Sequence, residues 1–127
     1  MSFAYLDTHV AVYLHDGALE KLSKSAKREI EASDLLISPM VLFELDYLQK
    51  RKKIGIPARD LYHTIHIDFG VRMCGLPFPK VVDAAIDVDW TSDPFDRLIV
   101  AQAKANRDSP LITKDELIRE KYLRAVW

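Results

Sequence analysis

The chain has 127 residues, enough for one domain (1–127) with its own core, and 49% apolar with 29% charged residues is typical of a globular protein. Its formal net charge of −1 excludes a global field that attracts nucleic acid or anionic membranes, so a polyanion partner needs a local patch. The single Cys74 excludes an internal disulfide and a cysteine-rich zinc site, and because we find no export signal and no apolar run near the ~20 residues of a membrane span, we expect a cytoplasmic protein without membrane contact.

The chain opens with a short apolar run, Phe3–Leu6, which predicts a strand buried on both faces. Such strands are typical of parallel sheets covered by helices, where ligands bind beyond the carboxyl ends of the strands. Asp7 directly follows this run and is therefore expected at that edge. Taken alone, Asp7 is equally well explained as the N-cap of a short helix through Val10 to Leu14.

The next segments predict a βαβ unit followed by a long helix. Residues 23–32 predict an exposed helix, residues 35–37 a second strand, and residues 40–52 a strongly helical segment. Glu44 lies at the margin of the inward-facing stripe of this helix, an unusual place for a glutamate. The stripe consists of Val41, Leu45 and Leu48.

Two surface features of the same helix have competing interpretations. Phe43 and Tyr47, four residues apart, form a second apolar ridge, which either faces a partner or, as we favour, packs under a neighbouring loop. The basic run Lys50–Lys53 predicts a solvated helix end that complements the helix dipole, with a phosphate-contacting patch as the alternative.

The middle of the chain carries weaker signals. Residues 57–69 predict a helix, in which His63 and His66 have no third ligand in view and are expected to be surface histidines. Residues 71–76 predict a short strand, and residues 81–88 predict a short helix.

The strongest helix-start signal lies at residues 92–103. Asp93 is a natural N-cap, Pro94 suits the first helical position, and Asp96 falls in the electropositive first turn. Asp96 flanks the apolar stripe of this helix, beside Val100. The stripe consists of Phe95, Leu98, Ile99 and Ala103. Either the two aspartates only cap the helix and favour its dipole, or other carboxylates converge on Asp96.

The last segments predict a strand at residues 110–113, a helix at 116–122 and an edge strand at 125–127. Asp115 again follows a strand end. Four carboxylates on four separate elements are thus expected at one edge of the sheet: Asp7, Glu44, Asp96 and Asp115.

Such a cluster repels itself unless protons or divalent cations neutralise it, and ligands that are all oxygen suit Mg²⁺ or Mn²⁺. Hard metal ions held by carboxylates are suited to phosphoryl chemistry, so the natural substrate of this arrangement is a phosphodiester.

Four stretches carry a family resemblance: residues 6–9 (LDTH), 41–45 (VLFEL), 93–103 (DPFDRLIVAQA) and 111–115 (LITKD). With these motifs the chain closely resembles the PIN-domain family, and within it the VapC-type toxins of bacterial and archaeal toxin–antitoxin pairs. The resemblance spans nearly the whole chain, and the Asp-Pro-Phe-Asp-Arg stretch is its most specific part.

The resemblance implies a three-layer α/β/α sandwich with a central, mainly parallel sheet. It also implies a Mg²⁺-dependent endoribonuclease that is commonly dimeric and is inhibited by a cognate antitoxin. The family's catalytic and metal-binding acids carry over to Asp7, Glu44, Asp96 and Asp115, with Thr113 as a support. Asp93 either orients a metal-bound water or remains the helix cap.

The resulting hypothesis is that metal bound by Asp7, Asp96 and Asp115, with Glu44 direct or through water, activates a water for attack on an RNA phosphate. Products with 5′-phosphate and 3′-hydroxyl ends are then expected. Nothing in the spacing assigns Arg97, Lys114 or the basic run to flanking phosphates. The rival hypothesis is a PIN-like binding or scaffold module whose acidic edge is catalytically idle.

Overall fold

The computed structural model describes residues 2–127, which form a five-stranded sheet and seven α-helices. The strands are β1 (Phe3–Leu6), β2 (Asp34–Ile37), β3 (Arg72–Met73), β4 (Leu111–Ile112) and β5 (Ala125–Val126). The helices are α1 (Thr8–Asp16), α2 (Lys24–Ala32), α3 (Pro39–Lys50), α4 (Ala58–Phe69), α5 (Phe78–Ile86), α6 (Pro94–Ala105) and α7 (Glu116–Lys121). A single 3-10 turn at Leu19–Lys21 joins α1 to α2.

The sheet has the strand order β3-β2-β1-β4-β5, and every neighbouring pair is parallel. Ala4, Tyr5 and Leu6 of the central strand are all buried, so both faces of the sheet are covered, as in other parallel sheets. The expected α/β fold with a central parallel sheet is confirmed.

The strand order places a topological switch point beside β1. The chain moves from β1 to β2 and β3 on one side and then crosses to β4 on the other side. Leu6 pairs with Ile112, and the Asp7 N–H donates to the Ile112 carbonyl at 3.0 Å. The residues that follow β1 and β4 therefore lie side by side at the carboxyl edge, where ligands of such sheets bind.

Several boundaries differ from the sequence-based expectation, among them those of α3, α5 and β3. Helix α3 ends at Lys50 because Lys52 has a left-handed backbone (φ 60°) and the Lys53 N–H turns back to the Leu48 carbonyl. Helix α5 begins at Phe78, three residues earlier than expected, with Pro79 in its first turn, where the missing N–H costs nothing. Strand β3 is shorter than expected, with two residues in the sheet.

Helix α6 is buried on more than the one predicted stripe. All residues from Ile99 to Ala103 are buried, including Gln102, because α6 packs against both α3 and α5. The Ser38 hydroxyl at the start of α3 donates to Oε1 of Gln102 at 3.0 Å, which partly satisfies this buried amide.

The Phe43–Tyr47 ridge of α3 is partly covered by a helix and not by a loop. The Phe95 ring of α6 lies 6.1 Å from the Phe43 ring and 5.4 Å from the Tyr47 ring, between centroids. Phe43 still keeps 60% of its surface exposed and Tyr47 keeps 44%. Among residues 2–127, every helix is too short or too polar to cross a membrane.

Candidate active site

Asp7 is held at the carboxyl end of β1 by hydrogen bonds to both of its carboxylate oxygens. Its Oδ1 accepts from the Thr8 N–H at 2.8 Å, and its Oδ2 accepts from the Thr113 hydroxyl at 2.6 Å. Asp7 is thus both the residue at the strand end and the N-cap of α1, so the two explanations of its position hold together. The side chain is buried, and these bonds fix its orientation.

Thr113 connects the two strand ends that meet at this edge. Its hydroxyl donates to Asp7 and accepts from the Asp115 N–H at 3.1 Å, and the residue is fully buried. Asp115 in turn caps α7, because its Oδ1 accepts from the Ile118 N–H at 2.9 Å. One chain of hydrogen bonds therefore positions Asp7, Thr113 and Asp115 relative to one another.

Glu44 reaches the same place from α3. Its Oε1 accepts a short hydrogen bond from the Thr8 hydroxyl at the start of α1. Burial raises the pKa of Glu44, and the nearby charges of Asp7 and Asp93 raise it further, while the bond from Thr8 acts in the opposite direction. The glutamate at the margin of the apolar stripe thus faces other carboxylates.

Asp93 and Asp96 stand at the start of α6 in different environments. Asp93 is exposed, and its Oδ1 accepts from the N–H groups of Phe95 at 2.9 Å and Asp96 at 3.2 Å, as an N-cap does. Asp96 is half-buried. Burial, followed by repulsion from the four other carboxylates (Asp93, Asp7, Asp115 and Glu44), raises the pKa of Asp96 to about 7.

These five carboxylates line one open pocket of about 460 Å³. Its other walls come from Thr8, His9, Val12 and Tyr13 of α1, Leu48 of α3, and Lys53 and Ile54 of the following loop. All four acids singled out from the sequence therefore share this pocket, together with Asp93. The raised pKa of Asp96 is the electrostatic consequence of bringing them together.

The carboxylates line the pocket without closing into a metal cage. Across residues 2–127, no three His, Cys, Asp or Glu side chains are arranged as a group that could hold a metal ion. Several oxygens are instead engaged by Thr8, Thr113 and the Ile118 N–H. The chemistry of the donor set nevertheless fits Mg²⁺ or Mn²⁺, since the pocket offers carboxylate oxygens and an excess of negative charge.

His9 is a pocket residue that the sequence analysis did not assign. Its Nε2 accepts from the Lys114 N–H at 3.0 Å, and its Nδ1 lies 3.7 Å from Oδ2 of Asp7. Burial lowers the pKa of His9, so the ring is neutral at pH 7, and an accepting Nε2 requires the proton on Nδ1, facing Asp7. His9 thereby ties the end of β1 to the loop after β4.

The pocket residues of α1 that were not assigned from the sequence share one face of the helix. Thr8, His9, Val12 and Tyr13 have the i, i+1, i+4, i+5 spacing of one helix face, and that face starts directly after Asp7. Lys53 belongs to the basic run Lys50–Lys53 and reaches the pocket through the turn that ends α3. Arg97 lies elsewhere, with its guanidinium donating to the carbonyls of Val88 and Ala85.

Comparisons with known proteins agree with this architecture. A chain of a toxin–antitoxin complex from Klebsiella pneumoniae superposes with a TM-score of 0.65 and 19% identity, covering 98% of this chain and 96% of that one. A chain of the VapBC2 complex of Rickettsia felis, bound to a promoter DNA fragment, superposes with a TM-score of 0.60 and 18% identity, covering 93% of this chain and 92% of that one. A search of curated protein sequences found no significant match. The family model of the PIN domain matches residues 4–122, and the chain therefore belongs to the PIN domain family.

Proposed function

We propose that this protein is a Mg²⁺-dependent endoribonuclease that hydrolyses RNA phosphodiesters. The observation that carries the proposal is the single pocket lined by five carboxylates from four parts of the fold, in which the pKa of Asp96 is raised to about 7. A site that accumulates negative charge at such a cost to its own carboxylates is typical of one that functions with a bound cation. Membership of the PIN domain family supports the same function.

In this proposal Asp7, Asp96 and Asp115 are metal ligands, and Glu44 binds directly or through a water. When bound, Mg²⁺ or Mn²⁺ supplies a charge that polarises the phosphate and lowers the pKa of a water. The chain's own residues orient the ligands: the Thr113 hydroxyl holds Asp7, and the Thr8 hydroxyl holds Glu44. Asp93 keeps the first turn of α6 in place through its cap and adds negative charge next to Asp96.

The proposed attack by water leaves the RNA 2′-hydroxyl without a chemical role. The cleavage products therefore carry 5′-phosphate and 3′-hydroxyl ends. Products that end in 2′,3′-cyclic phosphate, detected by mass spectrometry, contradict this route.

We further propose that the protein acts as the toxin of a toxin–antitoxin pair and forms a homodimer. The support is the likeness to chains solved within toxin–antitoxin complexes and the partly exposed Phe43 and Tyr47 on α3. Light scattering gives the mass in solution, and a monomeric mass contradicts the dimer. Expression of the chain alone is expected to inhibit growth. If the protein encoded beside its gene is the antitoxin, coexpression of the two is expected to restore growth.

One observation favours a second candidate function, a binding or scaffold module without activity. Asp7 and Asp115 already cap α1 and α7, so these acids have structural roles whether or not a metal binds. The two functions are separated by measuring cleavage of a mixed RNA pool with Mg²⁺, with EDTA, and with Asp7→Asn. Loss of cleavage in the latter two supports the nuclease, whereas equal activity in all three, or none in any, contradicts it.

A further inference from the structure

Beside the acidic pocket lies a group of cationic and aromatic side chains, which we call the Tyr13 clamp: Tyr13, Lys21 and Lys114. The Tyr13 ring lines the pocket, and the Lys21 and Lys114 ammonium nitrogens lie 5.3 Å and 5.1 Å from its centroid. Both distances are within the range of cation–π attraction. One aromatic ring thus holds two positive charges at the border of a negatively charged site.

Hydrogen bonds anchor the main chain of both lysines close to the ring. The Lys114 N–H donates to Nε2 of His9, which packs edge-on against Tyr13 with ring centroids 5.9 Å apart. The Lys21 N–H donates to the Ala18 carbonyl in the 3-10 turn after α1. Tyr13, His9 and the two lysines therefore come from three separate segments that the fold brings to one place.

The two ammonium charges are free to bind an anion. Both side chains are exposed, and the ion pairs found among residues 2–127 are His9–Asp7, His15–Asp16 and Lys50–Asp46, none of which includes Lys21 or Lys114. A cation–π contact keeps the full charge and the N–H donors of an ammonium group. The chain as a whole has a net charge of −1, so attraction for a polyanion must come from such local charges.

We propose that the Tyr13 clamp binds the RNA phosphate next to the one that is cleaved, with Lys21 and Lys114 as phosphate contacts and Tyr13 as their positioning residue. This inference rests on the proposed nuclease function. The clamp reaches the pocket through Tyr13 of α1, which lines it. Ammonium contacts to phosphate read no base, so the clamp contributes affinity without sequence preference.

The test is the salt dependence of RNA binding, measured without cleavage. All variants carry Asp96→Asn and are kept in EDTA, and fluorescence anisotropy follows a short fluorescein-labelled single-stranded RNA between about 50 and 200 mM salt. Each phosphate neutralised on a single strand contributes about −0.7 to the slope of log affinity against log salt. Because the two lysines share one phosphate in this proposal, Lys21→Ala/Lys114→Ala is expected to reduce the magnitude of the slope by about 0.7. The matched control, Lys80→Ala/Lys121→Ala, removes the same charge from exposed positions on α5 and α7 and is expected to leave the slope unchanged.

Positioning by Tyr13 is tested by a conservative pair. Tyr13→Phe keeps the ring and is expected to leave the salt dependence of RNA binding unchanged. Tyr13→Leu removes the ring and is expected to reduce the magnitude of the slope toward that of Lys21→Ala/Lys114→Ala. If Tyr13→Leu fails to fold, as judged by circular dichroism, the surface lysine variants still decide the proposal. An unchanged slope in Lys21→Ala/Lys114→Ala overturns it. If this variant loses binding of an oligoglutamate peptide while its RNA slope is unchanged, the proposal is also overturned, because the two lysines then contact an acidic protein and not RNA.

Kinetics with the Asp96-containing protein separate this inference from the proposed function. With Mg²⁺, Lys21→Ala/Lys114→Ala is expected to raise KM and leave kcat nearly unchanged, because the clamp acts on substrate binding and not on the reacting phosphate. If the unmodified protein cleaves no RNA, the nuclease proposal fails, and the anisotropy slopes still report on the clamp. If it cleaves and the lysine variant has the same KM, the clamp alone is wrong.

Discussion

At the level of single side chains, Asp96 shows how the fold changes the chemistry of an ordinary residue. An aspartate in the first turn of a helix is normally stabilised in its charged form. Here burial and four neighbouring carboxylates outweigh the helix dipole, and the pKa of Asp96 rises to about 7. Near neutral pH the metal-free site therefore holds a proton that a cation can replace.

This raised pKa predicts that the contribution of Asp96 to the stability of the metal-free protein falls as the pH rises from about 4 to 7. In that window folded Asp96 retains its proton while the unfolded chain, in which an aspartate has its ordinary pKa of 3.8, has lost it, so raising the pH favours unfolding. Urea unfolding in EDTA across this range, compared with Asp96→Asn, isolates the contribution. The free energy of unfolding of the wild type, relative to the variant, is expected to fall with pH.

The comparison with Asp96→Asn is needed because His9 acts in the opposite direction. Burial lowers the pKa of His9, so below about 6.5 the unfolded chain binds a proton there that the folded chain does not, and stability falls as the pH falls. His9 contributes equally to both proteins and cancels in the difference. A difference between the two that is independent of pH contradicts the raised pKa of Asp96.

At the level of secondary structure elements, the start of α6 combines a structural cap with an electrostatic role. Asp93 accepts from two N–H groups of the first turn, and its charge raises the pKa of Asp96. Asparagine caps a helix as well as aspartate does but carries no charge, while alanine does neither. The two roles are therefore separable by substitution.

We expect Asp93→Ala to lower the free energy of unfolding by about 1 kcal/mol and Asp93→Asn to leave it nearly unchanged. Both variants are expected to bring the pKa of Asp96 closer to its ordinary value, since each removes the largest of the charge repulsions that raise it. Urea unfolding measures the first effect, and NMR titration of the Asp96 carboxyl carbon measures the second. Equal stability of the two variants contradicts the capping role.

Arg97 links two helices and is expected to matter for stability more than for RNA binding. Its Nε donates to the Val88 carbonyl at 2.7 Å and its guanidinium donates to the Ala85 carbonyl at 3.0 Å, at the end of α5. We expect Arg97→Ala to cost roughly 1.5–3 kcal/mol, the range for hydrogen bonds of charged groups, and Arg97→Lys to restore little because an ammonium lacks the planar fork. Urea unfolding gives both values, and full recovery in Arg97→Lys contradicts the bidentate role.

At the level of the whole molecule, the switch point of the parallel sheet explains why the acids converge. Strands β1 and β4 are neighbours although Leu6 and Ile112 are far apart in the chain, and the residues after both strands face the same edge. The starts of α1, α6 and α7 and one face of α3 close around this edge. A cation that binds there connects segments from the whole length of the chain and should stabilise the entire fold.

Mg²⁺ is therefore expected to raise the free energy of unfolding, by about 2.7 kcal/mol at a concentration one hundred times its dissociation constant. The effect should be larger at pH 8 than at pH 6, because the pKa of Asp96 is about 7 and its proton must leave before it can bind a metal. Thermal unfolding with MgCl₂, against NaCl of equal ionic strength, measures it. Asp7→Asn is the control, and an equal Mg²⁺ effect in this variant contradicts the assigned site.

Much of the fold was predictable because its signals are local. The apolar run of β1, the N-cap and proline before α6, and Gly70, whose left-handed backbone ends α4, each act within a few residues. The expectation that Asp7, Glu44, Asp96 and Asp115 share one edge also followed from these signals, once the strand ends were assigned to that edge and the family motifs were recognised. Local chemistry and the general geometry of parallel sheets were sufficient for this much. The order of the strands within the sheet was not predicted from the sequence.

The amino-acid sequence thus established which acids are available and that they belong to strand ends and helix starts. Only the tertiary structure decided how these acids are held. The hydrogen bonds from Thr113 to Asp7 and from Thr8 to Glu44 join distant parts of the chain. The same holds for the bond from Arg97 to α5. The same is true of the Tyr13 clamp and of the raised pKa of Asp96. The physical reason is that burial, repulsion between charges and cation–π attraction depend on distances in space, which no spacing along the chain specifies.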